Sequence, residues 1–116
     1  MDSHIVVYIT ASSQEEADTL SRGLIEAKLA FCVNSVPGVK STYYWDNQLC
    51  VDDEFLLIAK TRADRFDELE KWVVEHHSYD VPEVIALPIV KGSKPYLKGI
   101  DDWVPTAPRG ANSKTN

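Results

Sequence analysis

Two adjacent histidines, His76 and His77, are the residues of this chain best suited to hold a transition metal. Imidazole suits Cu(II), which stands near the top of the divalent affinity order. The spacing opposes chelation by the pair while both stay helical. Neighbours on a helix diverge by ~100°, and helical histidines that share a metal sit four apart. Either the helix unwinds between them or other groups complete the site. A reading without metal also stands: both residues fall where a helix should end, and there the dipole favours a positive side chain.

A second constellation joins Tyr43, Tyr44 and Trp45 to Lys60 and Arg62. Aromatic walls with a cation suit a small anionic ligand, so Tyr44, Trp45, Lys60 and Glu83 are the candidate lining of a cleft. The same residues fit an aromatic interface anchor beside solvated cations. Glu83 and Asp80, next to Pro82, could offer carboxylate to a hard cation or simply stand at the surface. Asp52-Asp53-Glu54 and Asp101-Asp102 read as solvated acidic faces, with Lys40 placed to pair Asp53 across a hairpin.

Cys32, between Phe31 and Val33, reads as a small buried apolar residue, while Cys50 falls near a hairpin tip that could be a subunit boundary. The two lie toward opposite ends of one hairpin, too far apart for the ~6 Å Cα separation of a disulfide. The chain has no glycine-rich phosphate loop, His-Glu-x-x-His, Cys-x-x-Cys or nucleophile elbow. Ile9-Thr10-Ala11-Ser12-Ser13 also lacks the glycine and arginine that an acylphosphatase anion loop needs. The expectation is a protein that is not an enzyme.

Ile5–Ile9 is apolar and β-branched, as a central strand should be. Ser12 or Ser13 caps the next segment, Ser13 and Glu16 fitting a capping box. Ala17, Leu20, Leu24 and Ala27 then mark an amphipathic helix to about Leu29. Two long strands follow: Ala30 through Pro37-Gly38 to Trp45, and Gln48 to Arg62. With Asp46-Asn47 as the turn, Gln48 faces Trp45 and Cys50 faces Tyr43. Asp64 is placed to cap a second helix carrying Phe66, Leu69 and Val73 inward and ending near His76-His77. Val84–Val90 is a fourth strand, and Pro88 demands an edge position or a strand end. A short helix runs from Pro95 to about Trp103. This β-α-β-β-α-β order is the split βαβ, or ferredoxin-like, arrangement: an α+β fold whose antiparallel sheet carries two helices on one face, with an extended β2–β3 hairpin. Residues 1–104 form the single domain and 105–116 a disordered tail.

Each hairpin arm has about fifteen residues, roughly 50 Å if straight, against roughly 24 Å for the first helix. That helix cannot cover the hairpin. The aromatic end and the helix-free sheet face are most economically buried by further copies of the chain. Composition agrees with an ordinary globular domain: 116 residues, 44% hydrophobic and 26% charged. The formal charge of −6 and scattered basic residues oppose a nucleic-acid partner. No stretch reaches the ~20 apolar residues of a membrane span, and no signal-peptide core is present, so a cytoplasmic protein is expected.

The runs Cys32 to Val39, Ser41 to Trp45, Lys60-Thr61-Arg62 and His76 to Val84, with Tyr96-Leu97 and Ile100 before Trp103, resemble the CutA-like divalent-cation tolerance family over roughly Val6 to Val104. The resemblance implies a ferredoxin-like homotrimer associated with tolerance to copper and other divalent metals. It points to His76 and His77 as the copper residues, binding Cu(II) or another divalent cation weakly and without need of it for folding. Ile9 stands where the family site has a cysteine, which removes a soft ligand. The competing expectation is a sensor like the P-II signal-transduction proteins, also ferredoxin-like trimers, taking a small anionic ligand in the intersubunit cleft.

Overall fold

In a computed structural model, residues 3–108 are described. The chain folds as β1 (His4–Ala11), α1 (Gln14–Glu26), β2 (Cys32–Trp45), β3 (Gln48–Arg62), a 3-10 turn (Ala63–Arg65), α2 (Phe66–His76), β4 (Val84–Pro88) and α3 (Lys94–Trp103). The four strands form one antiparallel sheet in the order β2-β3-β1-β4, which is the expected α+β ferredoxin-like arrangement.

The core follows from strand alternation. Ile5, Val7, Ile9 and Ala11 of β1 and Leu57 and Ala59 of β3 point to the helical side. There they meet Ala17, Leu20 and Leu24 of α1 and Leu69 and Val73 of α2, all fully buried. Burying a Leu or Val side chain is worth about 1.5–3 kcal/mol, so this layer supplies most of the driving force. Trp72 of α2 lies so close across Gly23 of α1 that a Cβ there would stand 2.4 Å from the ring. Glycine at that position sets how closely the two helices approach.

The opposite face has no helix on it. Val6 and Tyr8 of β1 pair with Leu87 and Ile85 of β4, and the same side carries Leu56 and Ile58 of β3 and Val36 of β2. Ile85 is 50% exposed and Leu87 45%. A sheet face this rich in apolar side chains, with polar groups such as Lys60 and Asn34 toward one end, departs from an ordinary monomer surface.

The hairpin has the expected register, with Trp45 opposite Gln48 and Tyr43 opposite Cys50. Asp46 and Asn47 both take positive φ, 52° and 61°, the geometry of a two-residue turn that follows strand twist. Beyond the helices the arms stay uncovered, leaving Leu49 75% exposed and Tyr44 69%. At Pro37-Gly38 the pairing slips between Val36 and Val39, and Gly38 at φ 75° bends the strand. Cys32 and Cys50 are both free thiols.

Four local expectations are corrected. α1 stops at Glu26 rather than near Leu29, because Lys28 turns to φ 59°. Asp64 does not cap α2. Its carboxylate is taken by Arg62, at 3.0 and 3.2 Å, and by the backbone N–H of Ala107. The strand expected to reach Val90 ends at Pro88, the sheet edge, after which only Ile89 N–H bonds back to the His4 carbonyl. Lys40 does stand opposite Asp53, yet they form no ion pair within 4 Å.

Of the expected tail, residues 109–116 lie outside the described residues. Just before them, Val104 is fully buried and Arg65 donates to the Pro105 carbonyl at 2.8 Å. Among the described residues no helix is long and apolar enough to cross a membrane.

Candidate functional site

α2 ends between the two histidines. His76 keeps helical geometry, while His77 is extended at φ −89° and ψ 149°. The unwinding that shared metal binding would need is therefore present, but the rings part company. His76 stacks on Trp72, centroids 4.0 Å apart, and its Nδ1 lies 2.7 Å from the Trp72 carbonyl. His77 turns inward and its side chain is fully buried.

Both nitrogens of His77 are spoken for. Nε2 lies 2.7 Å from the Thr10 carbonyl, and Nδ1 lies 3.0 Å from the Tyr79 backbone N–H. A carbonyl can only accept and an amide N–H can only donate. The ring is thus a neutral imidazole with its proton on Nε2. Its remaining lone pair already receives Tyr79. By the same reasoning His76 donates from Nδ1 and keeps the Nε2 lone pair for another partner. Among the described residues no three His, Cys, Asp or Glu side chains stand close enough to hold a metal ion.

Glu16, read from sequence as half of a capping box, does more than cap. Ser13 Oγ accepts the Glu16 N–H at 3.1 Å, which is the expected half of the box. The Glu16 carboxylate reaches past Ser13 to the Ser12 N–H and hydroxyl, both at 2.9 Å, and to the Ser78 N–H at 2.7 Å. Burial pushes its carboxyl up, but these hydrogen bonds outweigh burial and hold it below the ordinary value. Glu16 and His77 together tie the segment after α2 to the start of α1 and the end of β1.

That tied segment forms one wall of a cleft of about 610 Å³, on the sheet face opposite the helices. Tyr79, Asp80, Val81, Pro82 and Glu83 make the wall; Thr10, Ser41, Thr42, Tyr43, Trp45 and Glu54 complete the lining. Tyr79 donates its hydroxyl to Glu54 Oε2 at 2.8 Å, and Tyr43 donates to Asp52. Hydrogen bonding to Asp52 pushes the Tyr43 phenol up to about 12. Burial, then the bond to Glu54, pushes Tyr79 up as well.

Of the residues expected around a cleft, Trp45 and Glu83 are brought together and Tyr44 and Lys60 are not. Tyr44 points off the other side of the hairpin tip, where its hydroxyl meets Asn47 Oδ1 at 3.3 Å. Lys60 sits opposite Cys32 at the base of the hairpin and donates to Asn34. Arg62 is held by Asp64 and by Asp101 at 2.9 Å, close to His4. The lining contains no Lys, Arg or His. Glu54 and Tyr79 were missed because the acidic run Asp52-Asp53-Glu54 was read as one solvated face. Strand alternation puts Asp52 and Glu54 on the Tyr43 side and Asp53 on the other, and that signal was available from the register.

Residues 5–104 match the sequence profile of the family described as CutA1 divalent ion tolerance protein. The chain is 46% identical over 105 residues to protein CutA 1, chloroplastic, of Oryza sativa, covering 90% of this chain and 57% of that protein. It thus spans little more than half the length of that relative. It is 44% identical over 99 residues to the divalent-cation tolerance protein CutA of Thermus thermophilus, covering 85% and 92%. That protein's solved structure matches at a TM-score of 0.86 with 41% identity, covering 88% of this chain and 99% of the other. The periplasmic divalent cation tolerance protein CutA from Archaeoglobus fulgidus matches at 0.85 with 42% identity, covering 88% and 99%.

Proposed function

The chain belongs to the CutA1 divalent ion tolerance family, and from that premise we propose that it acts as a homotrimer that binds Cu(II) or another divalent cation weakly, without catalysis. The observation that carries the assembly is the exposed apolar surface of the sheet: Ile85 and Leu87 on its helix-free face, and Tyr44 and Leu49 on the other side of the hairpin beyond the helices. Apolar surface of this kind gains roughly 25 cal/mol for every Å² removed from water, and copies of the chain are always at hand to remove it. A cytoplasmic location is part of the same proposal.

In this reading the metal contact is the open Nε2 of His76. His77 joins only when Tyr79 gives up its bond to Nδ1, which keeps affinity low and folding independent of metal. The alternative is a sensor that takes a small anionic ligand in the intersubunit cleft; within one chain the cleft lining has no Lys, Arg or His, and Lys60 stands elsewhere.

Sedimentation velocity at micromolar concentration tests the assembly: a trimer is expected, and a stable monomer overturns it. Cu(II) calorimetry tests the metal contact, with His76→Ala expected to weaken binding and equal heat in the double His76→Ala/His77→Ala variant removing the site.

A further inference from the structure

We infer that Trp72 is the positioning residue for the metal contact at His76, given that His76 is that contact. The two stand four apart on α2 and so share one helix face. Side chains on a helix lean toward its N-terminus, which carries the His76 ring back over the indole. The two rings stack nearly parallel, 17° apart with centroids at 4.0 Å.

A single exposed imidazole is ordinarily a poor ligand, because its ring must be ordered when the metal arrives. At His76 that ordering is done beforehand. Nδ1–H donates to the Trp72 carbonyl at 2.7 Å, which fixes the tautomer and leaves the Nε2 lone pair unused among the described residues. A ligating histidine that gives its other ring N–H to a backbone carbonyl is the usual arrangement around protein-bound metals. The carbonyl holds one nitrogen, but the ring could still swing about that bond. The indole face removes that freedom.

The indole is itself held. Its benzo edge lies against Gly23 of α1, where a Cβ would stand 2.4 Å from the ring. Glycine thus seats the indole, and the indole seats the imidazole. The stack belongs to the helical layer, on the side of the sheet opposite Ile85 and Leu87. There Trp72 lines an open groove with Glu15, Asp18 and Arg22 of α1, and the His76 ring stays exposed.

The test is Cu(II) titration calorimetry of the full chain, joined to NMR of the His76 ring nitrogens without metal. The parent should show Nδ1 protonated and Cu(II) heat that His76→Ala removes. Trp72→Phe keeps an aromatic face and should match the parent in both. Trp72→Leu should weaken Cu(II) binding about threefold to tenfold, the size of one aromatic stacking contact, and give ring-nitrogen shifts averaged between tautomers. Leu69→Val, a buried change on the same helix about two turns from His76, should lower the urea midpoint and leave Cu(II) affinity unchanged. Parent-like affinity in Trp72→Leu, a Trp72→Phe chain as weak as Trp72→Leu, or an equal loss in Leu69→Val would each overturn the positioning role while leaving His76 as the contact. Parent heat that survives His76→Ala would instead remove the contact, and the role of Trp72 with it.

Discussion

The Nδ1 of His77 accepts the backbone N–H of Tyr79 at 3.0 Å, so a residue that looks like a metal ligand serves as a clasp for the cleft wall. Two residues on, the Tyr79 hydroxyl reaches the buried Glu54. From Thr10 through His77 and Tyr79 to Glu54, hydrogen bonds run from the end of β1 across the cleft to β3. Family membership draws attention to the histidines, and the geometry assigns them unequal parts. His76 is exposed to solvent, whereas His77 holds backbone.

Replacement of His77 should therefore cost stability more than metal affinity. His77→Ala leaves the Thr10 carbonyl without its donor, a loss of about 1–3 kcal/mol for a buried group. Urea unfolding should show that loss, and His76→Ala, which removes an exposed ring, should lose about 1 kcal/mol or less. Calorimetry with Cu(II) should rank the two the other way round. Equal unfolding midpoints for the two variants would remove the clasp.

At Gly23 two opposing effects can be weighed. Alanine in a helix interior normally gains roughly 0.5–1 kcal/mol over glycine. Here its methyl would stand 2.4 Å from the Trp72 ring, so the ring must shift or α1 and α2 must move apart, and overpacking of this sort costs about 1–3 kcal/mol. Gly23→Ala should be net destabilising in thermal melts. Combining it with Trp72→Leu should recover part of the loss, since the clash is then gone. A Gly23→Ala chain as stable as the parent would mean that the helix contact is soft.

Acid sensitivity should trace to Glu16. Its folded carboxyl lies below the ordinary 4.5, because the Ser12 and Ser78 hydrogen bonds outweigh the effect of burial. A depressed folded pKa gives stability that is fully present above the unfolded value and is lost as pH falls through the folded one. Asp64, held down by Arg62 and the Ala107 N–H against burial, acts in the same direction. Unfolding midpoints should thus be flat between pH 6 and 7, on the order of neutral conditions, and fall below 4.5. Glu16→Gln should lower the plateau and flatten the fall. An unchanged slope in that variant would place the acid-labile contact elsewhere.

Much of this architecture could be read before any coordinates. The apolar, β-branched run Ile5–Ile9, the three- and four-residue spacing of Ala17, Leu20 and Leu24, and the Asp46-Asn47 turn are local signals, and each led to the element observed. Pro88 marked the sheet edge because a missing N–H cannot be hidden. What was not legible depends on contacts between distant segments. Glu16 meets Ser78 only once α2 has packed back on α1, and Asp64 prefers Arg62 and Ala107 to a helix N-terminus because those partners arrive through the fold. Lys60 and Trp45 both belong to the hairpin, yet one lies at its base and the other at its tip, a separation that the register reveals and composition does not.

The turn itself offers a test of how far the hairpin tip is set by its own backbone. Asp46 and Asn47 hold φ of 52° and 61°, a region that asparagine and aspartate tolerate and glycine enters freely. Asn47→Gly gives up the contact from the Tyr44 hydroxyl, a 3.3 Å bond at an exposed site, in exchange for an unstrained turn. The net effect should be within about 0.5 kcal/mol of neutral, as for most surface changes. Asn47→Val keeps the same loss and adds a β-branched side chain at positive φ, costing about 1–2 kcal/mol. Thermal melts on the two variants measure the difference, and equal stability of the pair would show that packing against other groups, not the turn, sets the tip.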